Sequence, residues 1–191
     1  MRYSNVTGVG KSIVLIGMMG AGKSSIGGCL HRRTRLALHD TDEIVAANFG
    51  MSISKIFPKF GEQRFRQAET EALRSVPTTE QAIVVTGGGI AVRNENVEIL
   101  KRLGVIVWLD ADEETLFTRA SRKQNRPLLQ TTNPRKSFSE ILRARRPLYA
   151  NIADIRVDTS VLTDEEAAVA ILAKLRRMNP KPESPIPAKT L

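Results

Sequence analysis

The residues with the clearest chemistry form a glycine-rich loop near the amino end of the chain. Residues 17–24 read GMMGAGKS, between an apolar segment and a helical one, and fit the phosphate-loop pattern G-x-x-x-x-G-K-S/T. In such a loop the backbone N–H groups point at phosphate oxygens, assisted by the helix N-terminus. Lys23 is expected to reach the β- and γ-phosphates, and Ser24 to place its hydroxyl on Mg²⁺. The sequence predicts nucleoside triphosphate binding but leaves the phosphoryl acceptor open.

Two aspartates at the end of a short apolar segment are candidates for acceptor chemistry. Asp40 and Asp42 are separated by Thr41. One carboxylate could support Mg²⁺ through water, and the other could accept a hydrogen bond from a substrate hydroxyl. The same residues before Glu43 are also typical of a helix N-cap. The two roles are compatible.

Two further motifs could bind a small anionic acceptor. Arg66 and Glu69 are three residues apart on one helical face, where the carboxylate could orient the guanidinium to bind a substrate carboxylate. On spacing alone a surface ion pair is the favoured alternative. The triplet Gly87, Gly88 and Gly89 could offer backbone N–H groups to a close ligand, or could be a loose turn.

The positive charge of the chain is concentrated in one segment. Residues 119–146 contain nine basic residues and one acidic residue, a local balance of +8 out of a formal net charge of +9. Such a segment suits closure over a small polyanion, although a solvated basic face is the simpler interpretation. Phe138 is the one aromatic residue in it, which disfavours a stacking platform for single-stranded nucleic acid.

Apolar segments alternate with helical ones along the chain. We predict strands at residues 12–16, 36–39, 82–86, 105–109 and 155–157. Helices are predicted at 23–33, 43–49, 53–57, 62–76, 94–103, after Asp112, and at 164–177. The alternation predicts a three-layer α/β/α domain with a central five-stranded parallel sheet, of the P-loop NTPase type. Ligands should gather at the carboxyl ends of the strands.

Length and composition indicate the domain organisation and the class of protein. A chain of 191 residues with 41% hydrophobic residues suits a single domain. We expect an N-terminal extension over 1–11, the domain over 12–178 and a disordered proline-rich tail over 179–191. No segment approaches the length of a membrane span, and no secretory signal is evident. With its single Cys29, the protein is expected to be cytoplasmic and monomeric.

Taken together, these motifs resemble the shikimate kinases, P-loop enzymes that phosphorylate the 3-hydroxyl of shikimate. The resemblance runs from Ser12 to Thr159 and rests on ordered motifs: GMMGAGKSS, DTD, GEQRFR, TGGG, RPLL and RRPLY. It implies shikimate and MgATP as substrates, with no nucleic acid or membrane partner. It also implies a mobile lid at about 119–138 that closes over the phosphates.

The resemblance implies a role for each matching residue. ATP phosphates would lie on Gly20, Ala21, Gly22, Lys23, Ser24 and Ser25. Ser24 would bind Mg²⁺ and Asp40 would support it, while Asp42 would hold the shikimate hydroxyls as base or orienting group. Arg66 and Arg145 would bind the substrate carboxylate, beside Gly87, Gly88 and Gly89. Arg126 would close on the phosphates, and Arg119 would flank adenine.

The chain also departs from the family pattern. Gly28 stands where the family usually has arginine, which should weaken the first helix by roughly 1 kcal/mol relative to alanine. No clear equivalent of the family's adenine-holding residue is found near Leu162 and Asp164. A P-loop kinase for another small acceptor, such as gluconate or a nucleotide, and a nucleotide-dependent nucleic-acid binder are the alternative functions.

Overall fold

Five parallel strands form the centre of the protein, whose computed structural model describes residues 11–122 and 131–178. The strands are β1 (Ser12–Ile16), β2 (Ala37–Asp40), β3 (Ala82–Val85), β4 (Gly104–Asp110) and β5 (Ile155–Asp158). They are ordered β2-β3-β1-β4-β5 across the sheet. β1, β3 and β4 are buried along their whole length, because a parallel sheet of this kind is covered on both faces. The predicted five-stranded parallel sheet is confirmed.

The helices pack around this sheet in two groups. They are α1 (Lys23–Thr34), α2 (Thr41–Phe49), α3 (Ile53–Arg74), α4 (Asn94–Leu103), α5 (Glu113–Ser121), α6 (Pro134–Ile152) and α7 (Asp164–Met178), with a 3-10 helix at Ile90–Val92. α1 contacts α7 and strands β2 and β3. α4 contacts α3, the 3-10 helix, β1 and β4, and α6 contacts α5, the 3-10 helix and β4.

The strand register brings the candidate residues to one edge of the sheet. Leu15 of β1 pairs with Val85 of β3 and with Val107 of β4, and Asp40 of β2 also pairs with Val85. The phosphate loop follows β1, and the glycine triplet follows β3 after Thr86. Because parallel strands end at the same edge, these segments lie side by side, as the sequence predicted.

Helix α2 begins two residues earlier than predicted, at Thr41. The Asp40 side chain explains this start, because its Oδ1 atom accepts a hydrogen bond from the backbone N–H of Asp42 at 3.0 Å. The helices predicted at 53–57 and 62–76 are joined in α3, but Gly61 within it has a non-helical backbone with φ 76° and ψ 168°. The predicted break between the two helices is therefore a kink within α3.

Helix α6 was not predicted, and it begins inside the segment expected to form the lid. Phe138 in its first turns is fully buried, and its ring packs edge-on against Phe117 at 5.5 Å between centroids. Residues 134–138 thus belong to a helix anchored in the core. The centre of the predicted lid, with Arg126, lies outside the described residues, as do residues 1–10 and the proline-rich segment 179–191.

None of the helices in residues 11–122 and 131–178 combines the length and apolar character needed to cross a membrane.

Candidate active site

The phosphate loop connects β1 to α1 with its glycines in the conformation that the motif requires. Gly20 has φ 87°, in the left-handed region that favours glycine. A β-carbon at this position would also overlap the carbonyl oxygen of Leu116. Gly20, Gly22, Lys23, Ser24 and Ser25 line the larger of two adjacent cavities, of about 940 Å³. Ala21 is fully buried, so any contact it makes with phosphate must come from its backbone.

The Lys23 side chain folds over the loop that carries it. Its Nζ atom donates hydrogen bonds to the carbonyl oxygens of Gly17 at 2.8 Å and Met18 at 3.0 Å. These contacts hold the ammonium group at the mouth of the loop, where N–H groups and the start of α1 already favour anions. The loop therefore combines a positive charge with a backbone cradle for phosphate.

The side-chain oxygens of Ser24 and Asp40 lie together beside this cradle. The Ser24 hydroxyl donates to Oδ2 of Asp40 at 3.0 Å. The other carboxylate oxygen, Oδ1, caps α2 through the N–H of Asp42. Capping and metal support can therefore use different oxygens of one side chain. A hydroxyl and a carboxylate oxygen so close together are of the type that Mg²⁺ prefers, and the pair fits that ion.

A smaller cavity of about 90 Å³ adjoins the first and combines an apolar wall with four charged side chains. The wall is made by Ile53 and Phe57 of α3 together with Phe65 beyond the kink at Gly61. The charged lining residues are Asp42, Arg66, Glu69 and Arg145, and the remaining lining residues are Met19, Gly87, Gly88 and Gly89. The predicted acceptor residues therefore do meet in one pocket. The apolar wall was not predicted, although an amphipathic pattern at 53–65 could have indicated it.

Arg66 and Glu69 form a buried ion pair rather than a surface one. Nη1 of Arg66 donates to Oε2 of Glu69 at 2.6 Å, and their side chains are 12% and 2% exposed. Nη2 of Arg66 also donates to the exposed Glu62 at 3.2 Å. Burial raises the pKa of the Glu69 carboxyl, and the Arg66 guanidinium opposes that rise. Two carboxylates thus orient one guanidinium at the pocket wall, where it could bind an anion in place of water.

The glycine triplet lets charged side chains approach its backbone closely. A β-carbon on Gly87 would lie 2.6 Å from Oδ1 of Asp42 and 2.8 Å from Oε1 of Glu69. A β-carbon on Gly89 would lie 2.8 Å from Cζ of Arg66. All three distances are too short for a real contact, so larger residues would displace the charged groups. The triplet is therefore a close-approach site and not a loose turn.

Two consecutive arginines of α6 have different surroundings. Arg145 lines the smaller cavity. Arg146 pairs with the buried carboxylate of Asp110 at 3.3 Å and donates to the carbonyl oxygen of Ala111 at 2.6 Å. Asp110 also pairs with Arg156 at 2.8 Å. Arg146 thereby fastens α6 to the end of β4, leaving Arg145 directed at the pocket.

Arg119, which the family resemblance places beside adenine, lines the larger cavity. Its Nη2 atom donates to the carbonyl oxygen of Thr159 at 3.0 Å. Arg122 and Asp164 line the same cavity, and neither was predicted as a site residue. In the sequence Asp164 is an ordinary acidic residue at the start of a helix, so no pattern indicated that it would line the cavity. Arg126 lies outside the described residues.

The two cavities share one wall. Met19, Asp42, Ile53 and Gly88 line both of them. A ligand held on the phosphate loop and a small ligand between Arg66 and Arg145 would therefore meet beside Asp42. The arrangement can bring the terminal phosphate of one ligand to a group on the other, as in-line phosphoryl transfer requires.

Comparisons with known proteins agree with this geometry. A family model described as shikimate kinase matches residues 19–176. A shikimate kinase of Thermodesulfovibrio yellowstonii is 43% identical over 88% of this chain and 97% of its own. One from Bordetella pertussis is 40% identical over 88% of this chain and 80% of its own. The solved structure of an Acinetobacter baumannii shikimate kinase in complex with shikimate has a TM-score of 0.87 at 32% identity, covering 93% of this chain and 99% of that one. Because both the family model and the relatives span most of its length, the chain belongs to the shikimate kinase family.

Proposed function

We propose that the protein transfers the γ-phosphoryl group of MgATP to the 3-hydroxyl of shikimate, giving shikimate 3-phosphate and ADP. The observation that carries this proposal is the shared wall of the two cavities at Asp42 and Gly88. One cavity has the phosphate loop, and the other has two arginines suited to a small carboxylic acid. Family membership supports the same reaction.

On the nucleotide side, the backbone of Gly20, Ala21, Gly22 and Ser25 would bind the phosphates, and Lys23 would contact the β- and γ-phosphates. Ser24 and Asp40 would hold Mg²⁺, Ser24 directly and Asp40 through water. Held by these two residues, the ion would neutralise part of the phosphate charge. Arg119 would flank the base. The family resemblance assigns Arg126 to the phosphates when the lid closes.

On the acceptor side, Arg66 and Arg145 would bind the shikimate carboxylate, and Phe57 and Phe65 would contact its ring. Asp42 would accept a hydrogen bond from the attacking hydroxyl, orienting its oxygen toward the phosphate and accepting its proton. Gly88 would contact the substrate through its backbone. These groups act by positioning and charge, and no covalent enzyme intermediate is needed.

The basic segment of the sequence fits this small-molecule role better than a nucleic-acid track. Its described arginines serve separate sites: Arg119 the nucleotide cavity, Arg145 the acceptor cavity and Arg146 the buried Asp110. Arg135 pairs with Glu114 on α5. A binder of nucleic acid would instead show an affinity that falls steeply with salt.

The test is a coupled ADP-release assay with MgATP and one of four acceptors: shikimate, quinate, gluconate or AMP. We expect ADP release that depends on shikimate and is much faster than with the others. The matched control is Lys23→Met, which should abolish release and so exclude a contaminating kinase. Equal slow release with every acceptor, or a preference for gluconate, would contradict the proposed substrate.

A further inference from the structure

Tyr149 is buried beneath the acceptor pocket without lining it. The residue is 1% exposed, and its ring packs against Trp108 of β4 with centroids 6.2 Å apart. Its hydroxyl donates a hydrogen bond to the carbonyl oxygen of Gly88. This bond connects the middle of α6 to the glycine triplet, which precedes it by 61 residues. A buried phenol therefore contacts the loop that forms the wall between the two cavities.

The hydrogen bond fixes a peptide group that would otherwise be easily turned. Three consecutive glycines have more backbone freedom than any other tripeptide, so Gly88 needs an external contact to keep one orientation. Because the peptide group is planar and trans, holding the Gly88 carbonyl also sets the direction of the Gly89 N–H. Gly89 in turn packs against the Arg66 guanidinium.

Arg145 lies on the same side of α6 as Tyr149, because residues four apart are neighbours on a helix face. A β-carbon on Gly88 would lie 3.6 Å from Nη1 of Arg145, so guanidinium, phenol and loop form one cluster. Burial raises the pKa of Tyr149 to about 12, while the nearby charge of Arg145 acts in the opposite direction. The phenol thus keeps its proton, and its donor function, at neutral pH.

We propose that Tyr149 is a positioning residue for the acceptor: its hydroxyl fixes the Gly88 carbonyl, and with it the loop that faces Arg66 and Arg145. The inference rests on the proposed function, since it concerns how shikimate is bound. Tyr149 does not touch the substrate. Its contribution is the orientation of groups that do, so its loss should weaken acceptor binding and leave the phosphate loop unaffected.

The test is Tyr149→Phe, which removes one hydroxyl and keeps the ring in place against Trp108. We expect the KM for shikimate to rise about 3- to 10-fold, as the loss of one buried hydrogen bond implies. The KM for MgATP should stay within about twofold, because the hydrogen bond that is removed joins Tyr149 to Gly88, and neither residue is among those expected to hold the phosphates, Gly20 to Ser25.

The matched control is Phe138→Leu, which loosens the same helix at a buried ring that lines neither cavity. It should lower the melting temperature and leave both KM values near those of the wild type. An unchanged KM for shikimate in Tyr149→Phe would overturn the inference. It would also be overturned if Tyr149→Phe and Phe138→Leu both raised the KM for shikimate and the KM for MgATP by the same factor. Absence of shikimate-dependent ADP release in the wild type would instead overturn the proposed function, and this inference with it.

Discussion

Gly89 and Arg66 occupy interlocking positions: a β-carbon on residue 89 would lie 2.8 Å from Cζ of Arg66 and overlap its Nη1 atom. The guanidinium cannot move away freely, because its Nη1 atom is paired with Oε2 of Glu69 at 2.6 Å. Gly89→Ala should therefore displace the arginine and raise the KM for shikimate about tenfold, equivalent to about 1.4 kcal/mol. The dissociation constant for MgATP, measured by calorimetry, should change little.

A double-mutant cycle checks the cause of that loss. Arg66→Ala alone should also raise the KM for shikimate and leave ATP binding almost intact. If the clash is the mechanism, adding Gly89→Ala to Arg66→Ala should have little further effect, because the group in the way is gone. Fully additive losses would show that Gly89→Ala acts through the loop backbone instead.

Asp42→Asn should lower turnover at least about 100-fold, because the amide keeps the shape of the side chain but cannot accept the hydroxyl proton. The cap of α2 should survive, since Asp40 supplies the capping carboxylate and the backbone N–H of Asp42 is retained. Steady-state kinetics and a thermal melt measure the two effects separately. A variant with most of its turnover would mean that Asp42 only shapes the pocket.

Glu69→Gln should change how stability depends on pH. Since burial raises the pKa of Glu69 in the folded protein, the folded state binds this proton more tightly than the unfolded state. Its contribution to stability is present below the ordinary glutamate pKa and is lost as pH rises through the raised folded pKa. The wild type should therefore lose stability relative to Glu69→Gln as pH rises through that interval.

Urea unfolding of both proteins between about pH 4 and pH 7 measures this difference. Glu62→Gln is the control, because it removes the exposed partner of the same arginine. A stability difference between wild type and Glu69→Gln that stays constant over the range would contradict the assigned direction of the pKa.

Two neighbouring glycines of α1 should respond oppositely to alanine. Within residues 11–122 and 131–178, and apart from the neighbouring backbone of α1, a β-carbon on Gly28 would meet just one atom within 4 Å, Nη1 of Arg32 at 3.7 Å. Gly28→Ala should therefore stabilise the protein by about 1 kcal/mol through helix propensity. At Gly27 the β-carbon would lie 2.7 Å from Cγ2 of Val85. Gly27→Ala should destabilise by about 1–3 kcal/mol.

Chemical denaturation of the two variants gives both free energies of unfolding. Shikimate kinase activity serves as the second measurement, and Gly28→Ala should retain it in full. Destabilisation by Gly28→Ala would mean that the departure of this chain from the family pattern at position 28 has a structural role.

The sequence predicted the parts of this protein that depend on short-range patterns. The phosphate loop has a fixed spacing, and Asp40 follows a strand, so both could be assigned to the sheet edge. The α6 helix was missed because Pro147 lies inside it and basic residues obscure its apolar face. Its register decides which of Arg145 and Arg146 enters the pocket, and spacing alone does not reveal that.

Contacts between segments that are distant in the sequence could not be predicted either. The overlap of Gly89 with Arg66 and the bond from Tyr149 to Gly88 join residues on separate elements, and each depends on how helices pack on the sheet. The ion pair of Arg66 and Glu69 was predicted from spacing, but its burial was not. Burial comes from tertiary packing, and it separates a substrate-binding arginine from a solvated one.

The wall shared by the two cavities has a consequence for inhibition. Met19, Asp42, Ile53 and Gly88 border both cavities. A short linker lying within these cavities could therefore join an adenosine-phosphate fragment to a carboxylated ring. Tethering makes the second binding event intramolecular, and avidity can exceed either fragment's affinity by about 10²–10⁴. Such a bisubstrate compound would also distinguish this enzyme from other users of ATP, since one end of it would bind in the pocket lined by Arg66 and Arg145.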